Sequence, residues 1–420
     1  MKRCMLMVLS FLFLHGAGAQ QITLEECRQK AQSNYPLVVQ YGLVEKSKEY
    51  NLANASKGYL PQFSLTGKAT YQSDVTNIPI QLPDVDIKGL PRDQYQVMLE
   101  LNQKIWDGGD IHYQRKQIKA TSDIDREQLN VDMYALNDRV NQVYFGILML
   151  DEKLKQNNLL QEDLRLSYQQ VSAYMTNGVA NQSDLDAVKV EQLNARQSET
   201  ELLASRGAYM QMLSLLIGED IGRETVLHKP VATDMTLTNE INRPELSLFD
   251  AQHESLDISE NALRVRNLPH LGAFVQGAYG NPGLNMLKNE FTPFYIAGIR
   301  LTWHFGGLYT LRNDKRAIEN NRRKLQSNRE LFLFNTQLEA TQENSAIQSV
   351  RALMREDDEI IALRTNIRKA AEVKVANGTL TVTDMLREIT AENLARQTKA
   401  MHEVQLLMNI YQWKHTTNNK

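Results

Sequence analysis

Two stretches of this chain repeat one another over almost their whole length, and this duplication limits the fold more than any other feature. Asn34-Tyr35-Pro36 and Leu60-Pro61 recur as Asn242-Arg243-Pro244 and Leu268-Pro269, with the prolines 25 positions apart both times. Tyr71 matches Tyr279 at the same offset of 208. The pair Gly108-Gly109 returns as Gly306-Gly307, and Asn177-Gly178 with Asp184 returns as Asn377-Gly378 with Asp384. Five ordered pairs argue for a duplicated unit. Its period, near 200 residues, is too long for a solenoid and indicates one architecture built twice.

Each unit carries two segments that alternate with period two. Residues 62–72 set Phe63, Leu65, Gly67, Ala69 and Tyr71 against a polar face that includes Lys68. Residues 94–105 set Tyr95, Val97, Leu99 and Leu101 against a face with Glu100 and Lys104. In the second unit, 294–305 sets Tyr295, Ile299 and Leu301 against Arg300, Thr302 and His304, while 270–280 is rich in Gly and Ala. Alternation over about ten residues suits a transmembrane β-strand with one face to lipid and one to a lumen. A half-buried strand of a soluble sheet alternates identically, but nothing else in the sequence reads as a layer that would cover such a sheet.

Four strands cannot close a membrane barrel, since bacterial barrels start at about eight, and an open edge is not tolerated in lipid. Several chains must then share one barrel. Two would give eight strands, filled by their own side chains; a conducting pore favours three chains and twelve strands. Residues 73–93, with Pro79, Pro83 and Pro91, and 281–293, with Pro282 and Pro293, read as external loops.

The remaining sequence is helical. From Gly109 to Asn177 there is no proline and one interior glycine, Gly146; from Gly307 to Asn377 there is neither inside the run. Met133, Leu136, Val140, Val143, Ile147, Leu150 and Leu154 step by three and four, as a heptad seam does. At 1.5 Å per residue each run predicts a helix roughly 100 Å long. Shorter helices are expected near 23–57, 181–216, 242–266 and 381–414. The predicted organisation is a signal peptide at 1–19, a first repeat at 20–217, a linker at 218–240 and a second repeat at 241–420. Lys2 and Arg3, the apolar run Met5–Leu14 and Ala17-Gly18-Ala19 carry the signal-peptide reading.

Composition removes several function classes. The 47 basic residues less Lys2 and Arg3 leave 45 against 50 acidic ones, a balance of −5 that offers no footprint for nucleic acid. No later stretch is apolar enough for a membrane-spanning helix. With Cys4 in the signal, Cys27 stays unpaired and reads as a packing residue. There is no phosphate loop, no G-x-S-x-G turn and no H-E-x-x-H pair. No enzyme, cofactor or metal site is expected.

The duplicated unit, the Asn-x-Pro helix starts, the Leu-Pro steps into the strands, the strand-exit glycines and the two turn motifs Asn177–Leu185 and Asn377–Met385 together resemble the TolC family of outer-membrane efflux proteins. The resemblance covers essentially the whole chain beyond the signal. It implies a homotrimer with an outer-membrane β-barrel and a periplasmic α-barrel. It also implies work with a periplasmic adaptor protein and an inner-membrane transporter, as the exit duct of a tripartite efflux system or of type I protein secretion. Carried over to this sequence, Asp384 lines a periplasmic aperture with Asp184 nearby. Gly178, Val179, Ala180, Gly378, Thr379 and Leu380 form tips that dock the adaptor. Arg387 stands where the family often has a second acidic residue. A plainer reading makes both aspartates helix caps, with Thr381-Val382-Thr383-Asp384 a capping box. Two rivals are a self-contained diffusion porin, which needs no long helices, and a soluble periplasmic coiled-coil scaffold.

Overall fold

The computed structural model describes residues 22–76, 90–222, 224–231, 240–286 and 288–419. The signal expected at 1–19 and the loop prolines Pro79 and Pro83 lie outside the described residues. The first repeat runs α1 (Leu24–Asn34), α2 (Val38–Ser56), β1 (Gln62–Tyr71), β2 (Asp93–Trp106), α3 (Asp110–Thr176) and α4 (Gln182–Ile217). The second runs α5 (Pro244–Val265), β3 (His270–Asn281), β4 (Thr292–Thr302), α6 (Gly307–Ala376) and α7 (Val382–Thr417). Among the described residues the fold is therefore mainly helical with four strands, and its two halves share one order.

The helix expected at 23–57 is two helices. Pro36 forces the residue before it out of the helical region, and Tyr35 is extended at φ −65°, ψ 132°. The break has a use. Asn34 Nδ2 donates to the carbonyls of Leu215 and Leu216, both at 3.2 Å, at the end of α4. Gly218 follows with φ +71°, and a Cβ there would lie 2.4 Å from Asn34 Oδ1. In the second repeat the Asn242 N–H donates to Thr417 O at 2.9 Å, at the end of α7. Each Asn-x-Pro thus starts an ascending helix while its asparagine satisfies the last carbonyls of a repeat's final helix. The recurring glycines pack in a similar way: a Cβ on Gly108 would lie 2.9 Å from Leu268 Cβ, and one on Gly307 would lie 2.3 Å from Asn267 Oδ1.

The chain divides into two compact units, and each draws on both repeats. The first contains the described residues up to Val38, Asn130–Arg243 and the chain from Phe332 onward. Its core includes the predicted seam: Met133, Leu136, Val140, Val143 and Ile147 are buried, with Leu150 and Leu154 half-buried. Gly146 gives room to Tyr209, whose ring would lie 2.4 Å from a Cβ at that position. Cys27 is fully buried, and burial pushes its thiol up to about 12.

The second unit is Val39–Leu129 with Pro244–Leu331. It holds one antiparallel sheet in the order β1-β2-β3-β4. The central β2–β3 pair joins the two repeats directly. Among the described residues β1 and β4 each keep an unpaired edge. No helix among the described residues is long and apolar enough to cross a membrane.

Candidate functional site

The sheet sorts its side chains by register. Leu65 pairs with Leu99, Leu99 with Gly277 and Gly277 with Tyr295, which places these positions in one cross-strand row on one face. Phe63, Leu65, Tyr71, Tyr295, Ile299 and Leu301 on that face are all more than 60 % exposed. Among the described residues nothing covers this layer of apolar side chains, and lipid is the solvent that suits it. Aromatic residues gather at both ends of the apolar face, a feature that sequence alternation alone did not reveal. Tyr279 stacks with Phe291 at 5.6 Å near the loops. Trp303 meets Phe305 at 4.7 Å near the helices. A register shift between Lys104 and Trp106 sets Trp106 opposite Leu271. From Tyr95 to Trp106 a tilted strand rises about 27 Å, close to the apolar band of a membrane barrel.

The opposite face carries the charge. Lys68 pairs with Gln96, Glu100 with Gln276, and Lys104 with Gly272. Arg300 pairs with Gly272 from the other side. Its guanidinium lies 3.8 Å from the Glu100 carboxylate and 4.6 Å over the Phe274 ring. His304 does not join them. β4 ends at Thr302, the Trp303 indole N–H donates to Asn267 O at 3.0 Å, and the chain turns into α6, so His304 lies past the strand.

The two helical hairpins belong to the first unit and close alike. Val179 N–H donates to Tyr174 O at 2.9 Å and Gly178 N–H to Met175 O at 3.1 Å, the paired bonds of a Schellman end. Thr379 to Lys374 and Gly378 to Val375 repeat this, both at 2.9 Å. The geometry needs a left-handed residue, and Gly178 and Gly378 supply it at φ +74° and +68°. Beneath the turns Val171, Leu185, Val188, Val375, Met385, Leu386 and Ile389 form one buried cluster drawn from both hairpins. Ala180 and Leu380 pack against this cluster, half-buried. Gly178, Val179, Gly378 and Thr379 remain exposed.

Both aspartates cap helices. Asp184 and Asn181 form a complete capping box, each side chain accepting the other's backbone N–H, at 3.0 and 3.2 Å. The second turn departs from the predicted box. Thr381 Oγ1 accepts from Asp384 N–H, while the Asp384 carboxylate accepts from the Thr381 hydroxyl at 2.6 Å and from Arg387 at 2.5 Å. The hydroxyl first, and then the Arg387 charge, hold Asp384 below the usual carboxylate range.

Sequence reading missed a buried polar cluster that ties α6 to α7. Glu392 is 4 % exposed and accepts from Thr365, Arg368 and Arg396. Burial pushes its carboxyl up, and these bonds more than offset it, leaving Glu392 below its ordinary value. Nearby along the same helices His402 Nδ1 meets Asp357 at 2.8 Å. The spacing Glu392/Arg396 is visible as an i,i+4 pair, but its partners stand on another helix and no local pattern marks them.

A strand pair from each repeat, a bare apolar sheet face and hairpins with exposed tips are features that an outer-membrane channel combines. Residues 27–219 match the family model described as outer membrane efflux protein. Comparison with curated protein sequences gives no match. Among solved structures the chain is similar to the outer-membrane channel OprN, at 14 % identity and TM-score 0.69, covering 94 % of this chain and 90 % of that one. It is similar to VceC of Vibrio cholerae at 12 % identity and TM-score 0.67, covering 94 % and 96 %. For CmeC of Campylobacter jejuni the values are 12 %, 0.65, 94 % and 85 %. Residues 27–219 thus match the model of the outer membrane efflux protein family, and the chain as a whole shares the fold of these outer-membrane channels.

Proposed function

We propose that the protein is the passive exit duct of a tripartite efflux system, carrying small molecules across the periplasm and outer membrane. The observation that carries this reading is the four-stranded sheet with a bare apolar face and two unpaired edges. Unpaired backbone groups are not tolerated in lipid, so three chains pair β4 of one protomer with β1 of the next in a twelve-stranded barrel. The helices of 67 and 70 residues, far longer than a diffusion porin requires, support a duct that reaches into the periplasm. Lys68, Glu100, Lys104 and Arg300 then face the lumen. The exposed tips at Gly178-Val179 and Gly378-Thr379 dock a periplasmic adaptor that couples the duct to an inner-membrane transporter. Asp384, Arg387 and Asp184 stand at the periplasmic aperture.

The test combines assembly with phenotype. Cross-linking of the detergent-extracted protein is expected to give a threefold ladder from the outer-membrane fraction, and deletion is expected to lower tolerance to toxic small molecules. A stably folded, dispersed monomer would refute the shared barrel. A trimer whose loss leaves tolerance unchanged would refute efflux.

A further inference from the structure

The polar face of the sheet is more cationic than a solvated lining needs to be, and its charge is concentrated at the end nearest the helices. Lys104, Gly272 and Arg300 form one cross-strand row, with no side chain between the two cations. At about 4.8 Å per strand their Cα atoms stand about 10 Å apart, a span that two long side chains can close on one small anion. His270 and Thr302, paired with each other, and Asn102 line the same cleft, whose volume is about 270 Å³.

Arg300 is held in place. Phe274 lies over Gly298, where a Cβ would meet its ring at 3.1 Å, and the guanidinium rests on that ring. Of the two acidic groups nearby, Asp107 is turned to backbone donors, and Glu100 offsets part of the Arg300 charge at 3.8 Å while leaving Lys104 uncompensated. Asp107 is 4 % exposed and its two oxygens accept from Gly109 N–H and Ile111 N–H, both at 2.9 Å, at the start of α3. The Glu100 side chain is 16 % exposed against 53 % for Arg300. Along the whole polar face the formal charges are Lys68, Lys104 and Arg300 against Glu100. What the solvent meets in this cleft is therefore positive.

The geometry points to a basic collar, formed by Lys104 and Arg300 with His270 beside them, that binds anionic groups of solutes passing through the duct. It assigns the cargo to small molecules bearing carboxylate, sulfonate or phosphate. The inference rests on the shared barrel proposed above, in which three copies of the row face one lumen. Planar anions suit the Arg300 fork, and Lys104 adds a mobile point charge. Lipid phosphates are separated from this row because lipid meets the other face of the sheet.

A soluble pyrene tetrasulfonate is the probe, titrated by fluorescence anisotropy into the purified trimer in uncharged detergent. The wild type is expected to bind it saturably. Lys104→Gln combined with Arg300→Gln is expected to weaken binding roughly tenfold or more, since two charge-assisted contacts are lost. Lys104→Arg with Arg300→Lys restores much of it, and Lys119→Gln, an exposed lysine outside the strands, leaves it unchanged. In planar bilayers under a KCl gradient the double glutamine variant shifts the reversal potential toward that of potassium. Equal probe affinity in wild type and double variant overturns the collar. Each sample is also cross-linked: a threefold ladder without probe binding overturns the collar alone, and absence of the ladder overturns the duct on which it rests.

Discussion

Arg387 stands one helical turn beyond Asp384 and donates to its carboxylate at 2.5 Å. The aperture proposed here therefore carries its own counter-charge within each chain. Arg387→Gln is expected to strengthen block by divalent cations added from the periplasmic side by a few fold, because it frees the carboxylate. Asp384→Ala is expected to remove that block. Recordings from reconstituted channels decide this, with Asp163→Asn as a change away from the turn. Since Asp384 is held below the usual range, its charge is present above that range and is lost only as pH falls through the lowered value. Block should thus be constant from pH 8 to about 5. Unchanged block in both variants would leave Asp384 as a helix cap only.

The two faces of β1 should differ sharply in tolerance. Leu65 and Leu99 are paired neighbours on the exposed apolar face, and Thr66 points the other way, opposite Met98. Leu65→Arg or Leu99→Arg is expected to cost about 2–4 kcal/mol near the midplane and to lower trimer yield. Thr66→Arg should assemble normally. Similar yields for Leu65→Arg and Thr66→Arg in outer-membrane fractions would remove the strand from lipid.

Glu343 on α6 gives a pH prediction. Burial raises its carboxyl from 4.5 to about 7, against the pull of a hydrogen bond from the Thr416 hydroxyl at 2.8 Å. Among the described residues its second oxygen has no hydrogen-bond partner, and neither has Oδ1 of Asp138. An acid raised in the folded state destabilises it as pH rises. Below 4.5 both states are protonated and nothing is lost; the penalty grows as pH rises to about 7 and is constant above it. Glu343→Gln should therefore raise the thermal midpoint near pH 8 and leave it unchanged near pH 4. A gain of equal size at both pH values would show that packing, not ionisation, is responsible.

The turn glycines separate strain from crowding. A Cβ at Gly178 or Gly378 would meet nothing within 4 Å, yet both have positive φ. Alanine at either position is expected to cost about 1 kcal/mol through the backbone alone. The measurement is hydrogen exchange of the amides around Val179 and Thr379. Protection lost along the whole of α4 or α7 would instead reveal a packing role.

Much of this fold could be read from spacing because its elements are long and its patterns local. Alternation around Leu65 and Leu99 and the seam from Met133 to Ile147 each lie within one element, so one period suffices to find them. What escaped depends on meetings between distant residues. The break at Pro36 was hidden by a helical pattern on both sides of it, and its purpose appears only when Asn34 meets the end of α4. The pairing of Arg300 with Glu100 crosses an intervening strand, and Glu392 meets Arg368 across two helices. His304 was assigned to a strand because alternation continued past the point where Trp303 bonds to Asn267 and the chain turns.

The unpaired edges of β1 and β4 have a consequence for inheritance. In the proposed trimer each chain supplies a third of the wall, and an edge that cannot pair spoils its neighbours as well as itself. In a cell making equal amounts of sound and edge-defective chains, random mixing would leave only about one trimer in eight wholly sound. Lesions at the β1 or β4 edge should therefore act as dominant alleles, suppressing the product of an intact second copy. Lesions that stop the chain before it folds remove subunits without poisoning others and should behave as recessive. The same gene would then show two genetic characters, divided by whether a damaged chain can still take its place in the ring.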